Sequence, residues 1–185
     1  MDRQRSEGLE ALLKAAGPAG APRPVEAWNP PYCGDIGMAI RADGTWVYRG
    51  SPIARREMVK LFSSILRKDA DGRTYLVTPV EKVDVIVEDV PFLAVEMAAS
   101  GEGQSQSLTL RTNVDDVVHI DRDHPLRFQI ETGSGGLKPY VTVRGRLEAL
   151  FTRALTADLI ALGLEQERDG AAGVWSGGVW WALES

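Results

Sequence analysis

Arg55, Arg56 and Lys60 fall close together at the start of an amphipathic stretch. Helix N-termini attract anions, and a cation there works against the macrodipole. Cations tolerated in that place suit a phosphate or carboxylate ligand, while a solvated charged face is the plain alternative. Other residues could complete such a site. Asp35, Thr78 and Glu81 would supply polar contacts, and Lys82 and Arg144 further positive charge. Trp46 or Tyr48 would stack on a planar group, with Arg41 nearby in the chain. Thr78-Pro79-Val80-Glu81-Lys82 reads as a junction between domains, where ligand sites concentrate.

Other constellations carry less. His119, Asp121 and Asp123 alternate, so a strand would place them on one face. With Asp115, Asp116 and His124 they are competent metal ligands, but a charged edge or loop between two strands is the favoured reading. Cys33 is the single cysteine, set in a Pro-rich turn far in sequence from both histidines. A small structural residue is the favoured reading over a nucleophile. Glu88 and Asp89 are adjacent, so a strand points them to opposite faces. Trp175, Trp180 and Trp181 read as core or a lid, with base stacking as the sharper alternative. The chain holds no phosphate-binding loop, dinucleotide fingerprint, nucleophile elbow or zinc-protease helix motif. No catalytic constellation can therefore be named, and no cofactor is indicated.

The elements that must position these residues follow from periodicity. Residues 6–16 read as a short helix, capped by Ser6 and stopped at Gly17. Residues 17–27 form a Pro/Gly-rich linker. A hairpin turns at Asp43-Gly44 within 36–48, because that turn needs positive φ. Ser51 and Pro52 then look like an N-cap and first helical residue, opening a helix to Lys68 with Met58, Leu61, Phe62 and Ile65 inward. Strands are expected at 73–78, 83–88, 92–98, 105–112, 116–121, 125–132 and 139–144. A helix over 145–162 and a final hairpin around Asp169-Gly170 complete the chain. The unit 36–78 and the unit 126–181 run through a similar order of elements, an architectural echo with little residue identity.

The chain has 185 residues, 44% hydrophobic and 25% charged, with net charge −5. That length suits one average domain or two small ones with real cores. The mild acidic excess disfavours a nucleic-acid partner. No apolar run is long enough to span a bilayer. The N-terminus has no secretory pattern, so the expected compartment is the cytoplasm, where Cys33 stays reduced.

Several short stretches, taken in order, resemble the proteobacterial domain of unknown function 1285 family. They are Cys-Gly-Asp-Ile at 33–36, Asp-Gly-Thr-Trp at 43–46, Gly-Ser-Pro-Ile at 50–53 and Leu-Phe-Ser-Ser at 61–64. Val-Thr-Pro-Val-Glu-Lys at 77–82, Val-Glu-Asp-Val-Pro-Phe at 87–92, Pro-Tyr-Val at 139–141 and Val-Trp-Ser-Gly-Gly at 174–178 continue it. The likeness covers residues 28–183. At Gly37 the chain departs from the pattern, which has an acidic residue after Gly-Asp-Ile. The resemblance implies a duplicated two-domain core, a second domain like pleckstrin-homology folds, and a pocket for a nucleotide-like molecule with a role in signalling.

The expected fold is α+β, with antiparallel sheets that each carry a packed helix. Residues 1–27 would be the N-terminal helix and linker. Residues 28–82 would form a small α+β domain, and 83–185 a larger pleckstrin-homology-like β domain. The expected function is a non-catalytic ligand-binding or sensing protein in bacterial signal transduction. It would hold a nucleotide-like small molecule between its domains through Asp35, Arg41, Trp46, Tyr48, Arg55, Arg56, Thr78, Glu81, Lys82 and Arg144. The alternatives are an adaptor for a protein partner, or an enzyme acting in the cleft through Cys33 or Asp35.

Overall fold

The computed structural model describes residues 2–17 and 22–184. The Ser6 side chain and residues 18–21 of the expected linker lie outside the described residues. The chain divides into two compact units, 1–89 and 90–185. No helix among the described residues is long and apolar enough to cross a membrane.

The first unit opens with α1 (Asp2–Ala16), which buries Leu12 and Ala16. Then come β1 (Tyr32–Ile40), β2 (Trp46–Tyr48), β3 (Ser51–Pro52), α2 (Arg56–Ser63), β4 (Leu66–Lys68), β5 (Thr74–Val77) and β6 (Lys82–Val87). The β1–β2 turn forms where Asp43-Gly44 predicts it: Gly44 takes φ +86° and Asp43 accepts the Thr45 N–H at 2.9 Å. Met38, Ile40 and Trp46 of this hairpin are buried, as is Phe62 of α2, and the Trp46 and Phe62 rings stack with centroids 6.2 Å apart.

The helix expected over 51–68 is shorter. Ser51 and Pro52 pair with Tyr48 and Val47 as an edge strand, where proline's missing N–H costs no ladder bond. The helix stops as the Ser63 and Ser64 hydroxyls donate back to the Lys60 and Leu61 carbonyls. Leu66–Lys68 then pairs with β5. The expected domain split also moves. The sequence places residues 83–88 in the second domain, but β6 lies between β1 and β5 in the first sheet.

The second unit holds β7 (Phe92–Ser100), β8 (Ser107–Thr112), β9 (Val117–His119), β10 (Leu126–Ile130), β11 (Leu137–Arg144) and β12 (Leu147–Phe151). Helix α3 (Arg153–Leu164) follows, then β13 (Glu167–Arg168), β14 (Ala171–Ser176) and β15 (Val179–Ala182). The helix expected from 145 therefore starts late. Leu147, Ala149 and Phe151 are buried and alternate with less buried neighbours, the period of a strand. Thr152 caps α3, its Oγ1 accepting the Leu155 N–H at 3.2 Å. The last segment is a three-stranded sheet rather than one hairpin, with a second turn at Gly177-Gly178.

Both units share one plan. The first sheet runs β3-β2-β1-β6-β5-β4 and the second β10-β11-β12-β7-β8-β9. Each is two three-stranded antiparallel meanders, joined by a parallel pairing of the first strand with the sixth. The α+β, two-domain, duplicated fold is thus present, with mixed rather than wholly antiparallel sheets. The repeat relates β1–β6 to β7–β12, not 36–78 to 126–181. The helices hid its register: α2 lies between the third and fourth strands of its unit, whereas α3 follows the sixth.

Candidate functional site

On β6, Asp84 is flanked by Val83, Val85 and Ile86, the strand's one acidic residue in an apolar run. A carboxylate buried there must be paired. It is 4% exposed, and its partners come from both neighbouring segments. The Tyr32 phenol donates to Oδ2, and Arg73 Nη2 donates to Oδ1 at 2.5 Å. Tyr75 of β5 sits opposite Asp84 in the ladder, so the two side chains share a face.

Arg73 reaches this carboxylate from the turn before β5, and its side chain is 56% exposed. The guanidinium lies 5.5 Å from the ring centroids of both Tyr32 and Tyr75. Those rings meet edge to face at 6.2 Å, and Tyr32 is 52% exposed. Nη2 also donates to the Tyr32 oxygen at 3.3 Å, whereas Nε and Nη1 bond no described residue. Lys82 Nζ covers the other part of Tyr75 at 4.4 Å and bonds Asp69 at 3.0 Å. Asp69 is shared with Arg67, whose Nε lies 2.6 Å away.

Four groups here titrate away from their ordinary values, and one of them is Arg73, raised first by its hydrogen bond to Tyr32. The Tyr75 phenol is pushed up to about 12, first by donating to the Asp71 carboxylate at 2.6 Å and then by burial. Asp71 is lowered, chiefly by that same hydroxyl. Burial pushes Asp69 up, but the hydrogen bonds from Arg67 and Lys82 outweigh it and leave the carboxyl low. The folded chain therefore holds the Tyr75 proton more tightly than the unfolded chain does. Stability contributed by Tyr75 is complete below pH 10 and falls as pH rises from about 10 to about 12. Urea midpoints measured across this range are expected to fall in the wild type and to fall less steeply in Tyr75→Phe. Equal slopes in the two proteins would refute the assignment.

The residues expected to form the site are scattered. Trp46 is 1% exposed and lies in the core, where its Nε1 has no hydrogen-bond partner among the described residues, so it cannot stack on a ligand. Tyr48 is buried, with Arg49 5.3 Å over its ring and Gly8 of α1 beside its hydroxyl. Thr78 is fully buried and closes a turn: its Oγ1 accepts the N–H groups of Val80 and Glu81. Glu81 is half-buried in that turn. Arg144 belongs to the second unit, paired with Asp116 at 2.8 Å and lying 5.2 Å over Phe92.

Asp35 is exposed and accepts the Gly37 N–H at 2.7 Å. Gly37 has φ +81°, and a Cβ there would stand 2.9 Å from Arg49 Cγ. Arg41 and Arg55 are exposed and make no side-chain hydrogen bond with a described residue; Arg56 is exposed at the start of α2. Cys33 is exposed, with Sγ 3.4 Å from the Pro31 carbonyl. His119 pairs with Thr109, while Asp121 accepts the N–H groups of Asp123 and His124 in a turn.

Lys82 is the one expected residue that joins the Asp84 cluster. Tyr32, Arg73, Tyr75 and Asp84 were missed. The legible signal was Asp84 itself, a charge at a position whose neighbours all read as core.

Models of two domains match the chain consecutively from residue 23 to residue 183. The N-terminal domain of the domain of unknown function DUF1285 matches residues 23–90, and the C-terminal domain of that protein of unknown function matches residues 91–183. The chain is similar to the crystal structure of a DUF1285 family protein from Silicibacter pomeroyi DSS-3, with 46% identity and a TM-score of 0.87. That likeness covers 95% of this chain and 93% of the other. A DUF1285 family protein from Shewanella baltica OS155 is similar at 28% identity and a TM-score of 0.54, over 68% of this chain and 91% of that one. No curated protein of known function matches. With both domain models matched in order and a 46% identical relative of the same architecture, the chain belongs to the DUF1285 family.

Proposed function

We infer that this is a cytoplasmic ligand-sensing protein whose ligand is a nucleotide-like small molecule, acting in bacterial signal transduction. The observation that carries this reading is the exposed Arg73 guanidinium, flanked by two tyrosine rings and with two nitrogens that bond no described residue. A planar base suits the open Tyr32 ring, and a phosphate suits the free edge of the guanidinium. Asp84 and Tyr75 hold both groups in place from beneath. The site therefore moves from Trp46, Tyr48 and the α2 arginines to Tyr32, Arg73 and Lys82. The likeness of the second unit to pleckstrin-homology-like barrels belongs to the same reading, supported by a strand-rich sheet followed by a helix.

Thermal shift and calorimetric titration against nucleoside mono-, di- and triphosphates test it. At least one should stabilise the wild type. Tyr32→Ala and Arg73→Lys should each bind it about tenfold more weakly, the lysine keeping the charge but not the planar fork. Absence of any stabilised complex, or variants that bind as the wild type does, would remove the reading.

A further inference from the structure

The second unit carries a different kind of surface. A groove of about 520 Å³ lies beside β7, β8 and α3. Val95, Met97, Val117 and Leu155 give it apolar walls. Its charge is acidic on balance. Among the described residues the only cation lining it, Arg111, is held by Glu96 at 2.7 Å and by Asp115 at 2.7 Å. Asp158 lines it as well, exposed and with no ion pair to a described residue.

The groove adjoins an open sheet edge. β9 is the last strand of its sheet and pairs only with β8. Thr112 donates its N–H to the Asp116 carbonyl, and Ile120 donates its N–H to the Leu108 carbonyl. Antiparallel bonding alternates, so Asp116, Val118 and Ile120 face β8 with their backbone groups. The N–H and C=O of Val117 and His119 therefore point outward. Val117 is 61% exposed on this edge.

We propose that β9 and this groove form a docking site for an extended peptide segment of a partner protein, rich in lysine or arginine alternating with apolar residues. The segment would add a strand to β9 through the outward groups of Val117 and His119. Alternate apolar side chains would lie against Val117 and Leu155, and its cations would meet Asp158 and Glu96. A second copy of this chain is the poorer occupant, because edge-to-edge pairing would bring the same acidic groups together. The inference does not rest on the nucleotide reading of the first unit.

The probe is a labelled synthetic peptide alternating valine with lysine, followed by fluorescence anisotropy on the full chain. A matched peptide with glutamate for lysine is the control. Saturable binding of the lysine peptide is expected, with the glutamate peptide at least about tenfold weaker. Asp158→Lys should weaken the lysine peptide and strengthen the glutamate one. Val117→Pro removes one outward N–H without touching a β8 bond, and should abolish binding. If Val117→Pro melts early, Asp158→Lys decides alone. Amide shifts on binding should fall on β9 and the start of α3. Equal affinity for both peptides, no binding at millimolar concentration, shifts confined to the first unit, or a β9-mediated dimer would each overturn the proposal.

Discussion

Arg67→Met will destabilise the first unit by about 3 kcal/mol, the scale for breaking a buried charge network by removing one partner. Arg67 sits on edge strand β4 and is 7% exposed. Its Nη1 donates to the Val25 carbonyl at 2.8 Å and the Trp28 carbonyl at 2.7 Å, while Nε pairs with Asp69. Methionine fills much of the same space but returns none of these bonds. Two carbonyls would lose a donor, and Asp69 would keep only Lys82. The segment around Val25–Ala27 covers this edge, so its amides should also lose protection. Hydrogen exchange resolved by unit reads both effects: faster exchange in 22–89, with 90–184 unchanged. A loss below about 1 kcal/mol would mean that water satisfies these carbonyls at little cost.

Gly177→Ala should be comparably severe in the second unit, costing roughly 3 kcal/mol from two causes that add. Gly177 has φ +61°, which alanine adopts with strain. A Cβ there would stand 2.5 Å from Asp121 Cβ and 2.9 Å from both Asp121 Cα and the Ile120 carbonyl oxygen. These are largely backbone atoms and cannot swing away. The neighbouring Ser176 is fully buried, its Oγ accepting the Leu108 N–H and donating to the Ile120 carbonyl. Moving the turn would therefore break the bridge between β14 and β8. A drop of roughly 15 °C in the melting temperature is expected, from about 4–8 °C per kcal/mol in a domain of this size. Gly178→Ala is the control: it shares a positive φ but has open space around its Cβ, so its cost should be smaller. Equal effects at both positions would show that close approach contributes nothing.

The sequence made local chemistry legible and long-range pairing less so. The Asp43-Gly44 turn and the order of strands from Thr74 to Arg144 followed from turn residues and alternation. The segment Leu147–Phe151 did not. Its leucines satisfy helical and strand periods alike, and only its place beside β11 and β7 decides for a strand. Ser51-Pro52 likewise suits a helix start or a strand edge. Aromatic identity misled at Trp46 and Tyr48, because stacking competence and core packing use the same residues. The Tyr32–Arg73–Asp84 cluster joins three separate segments, so no short motif contains it.

The joining of each sheet through its first and sixth strands bears on how the chain acquires its structure. Tyr32 faces Lys82, and Phe92 faces Ala149, with both meanders of a unit lying between in sequence. The hairpins within a meander close short loops, which is quick. The central parallel pair closes the longest loop of its unit and gains nothing until both meanders exist. High contact order thus sits at the middle of each sheet rather than at its rim, so the costliest loop closure of each unit is the one that joins its two meanders.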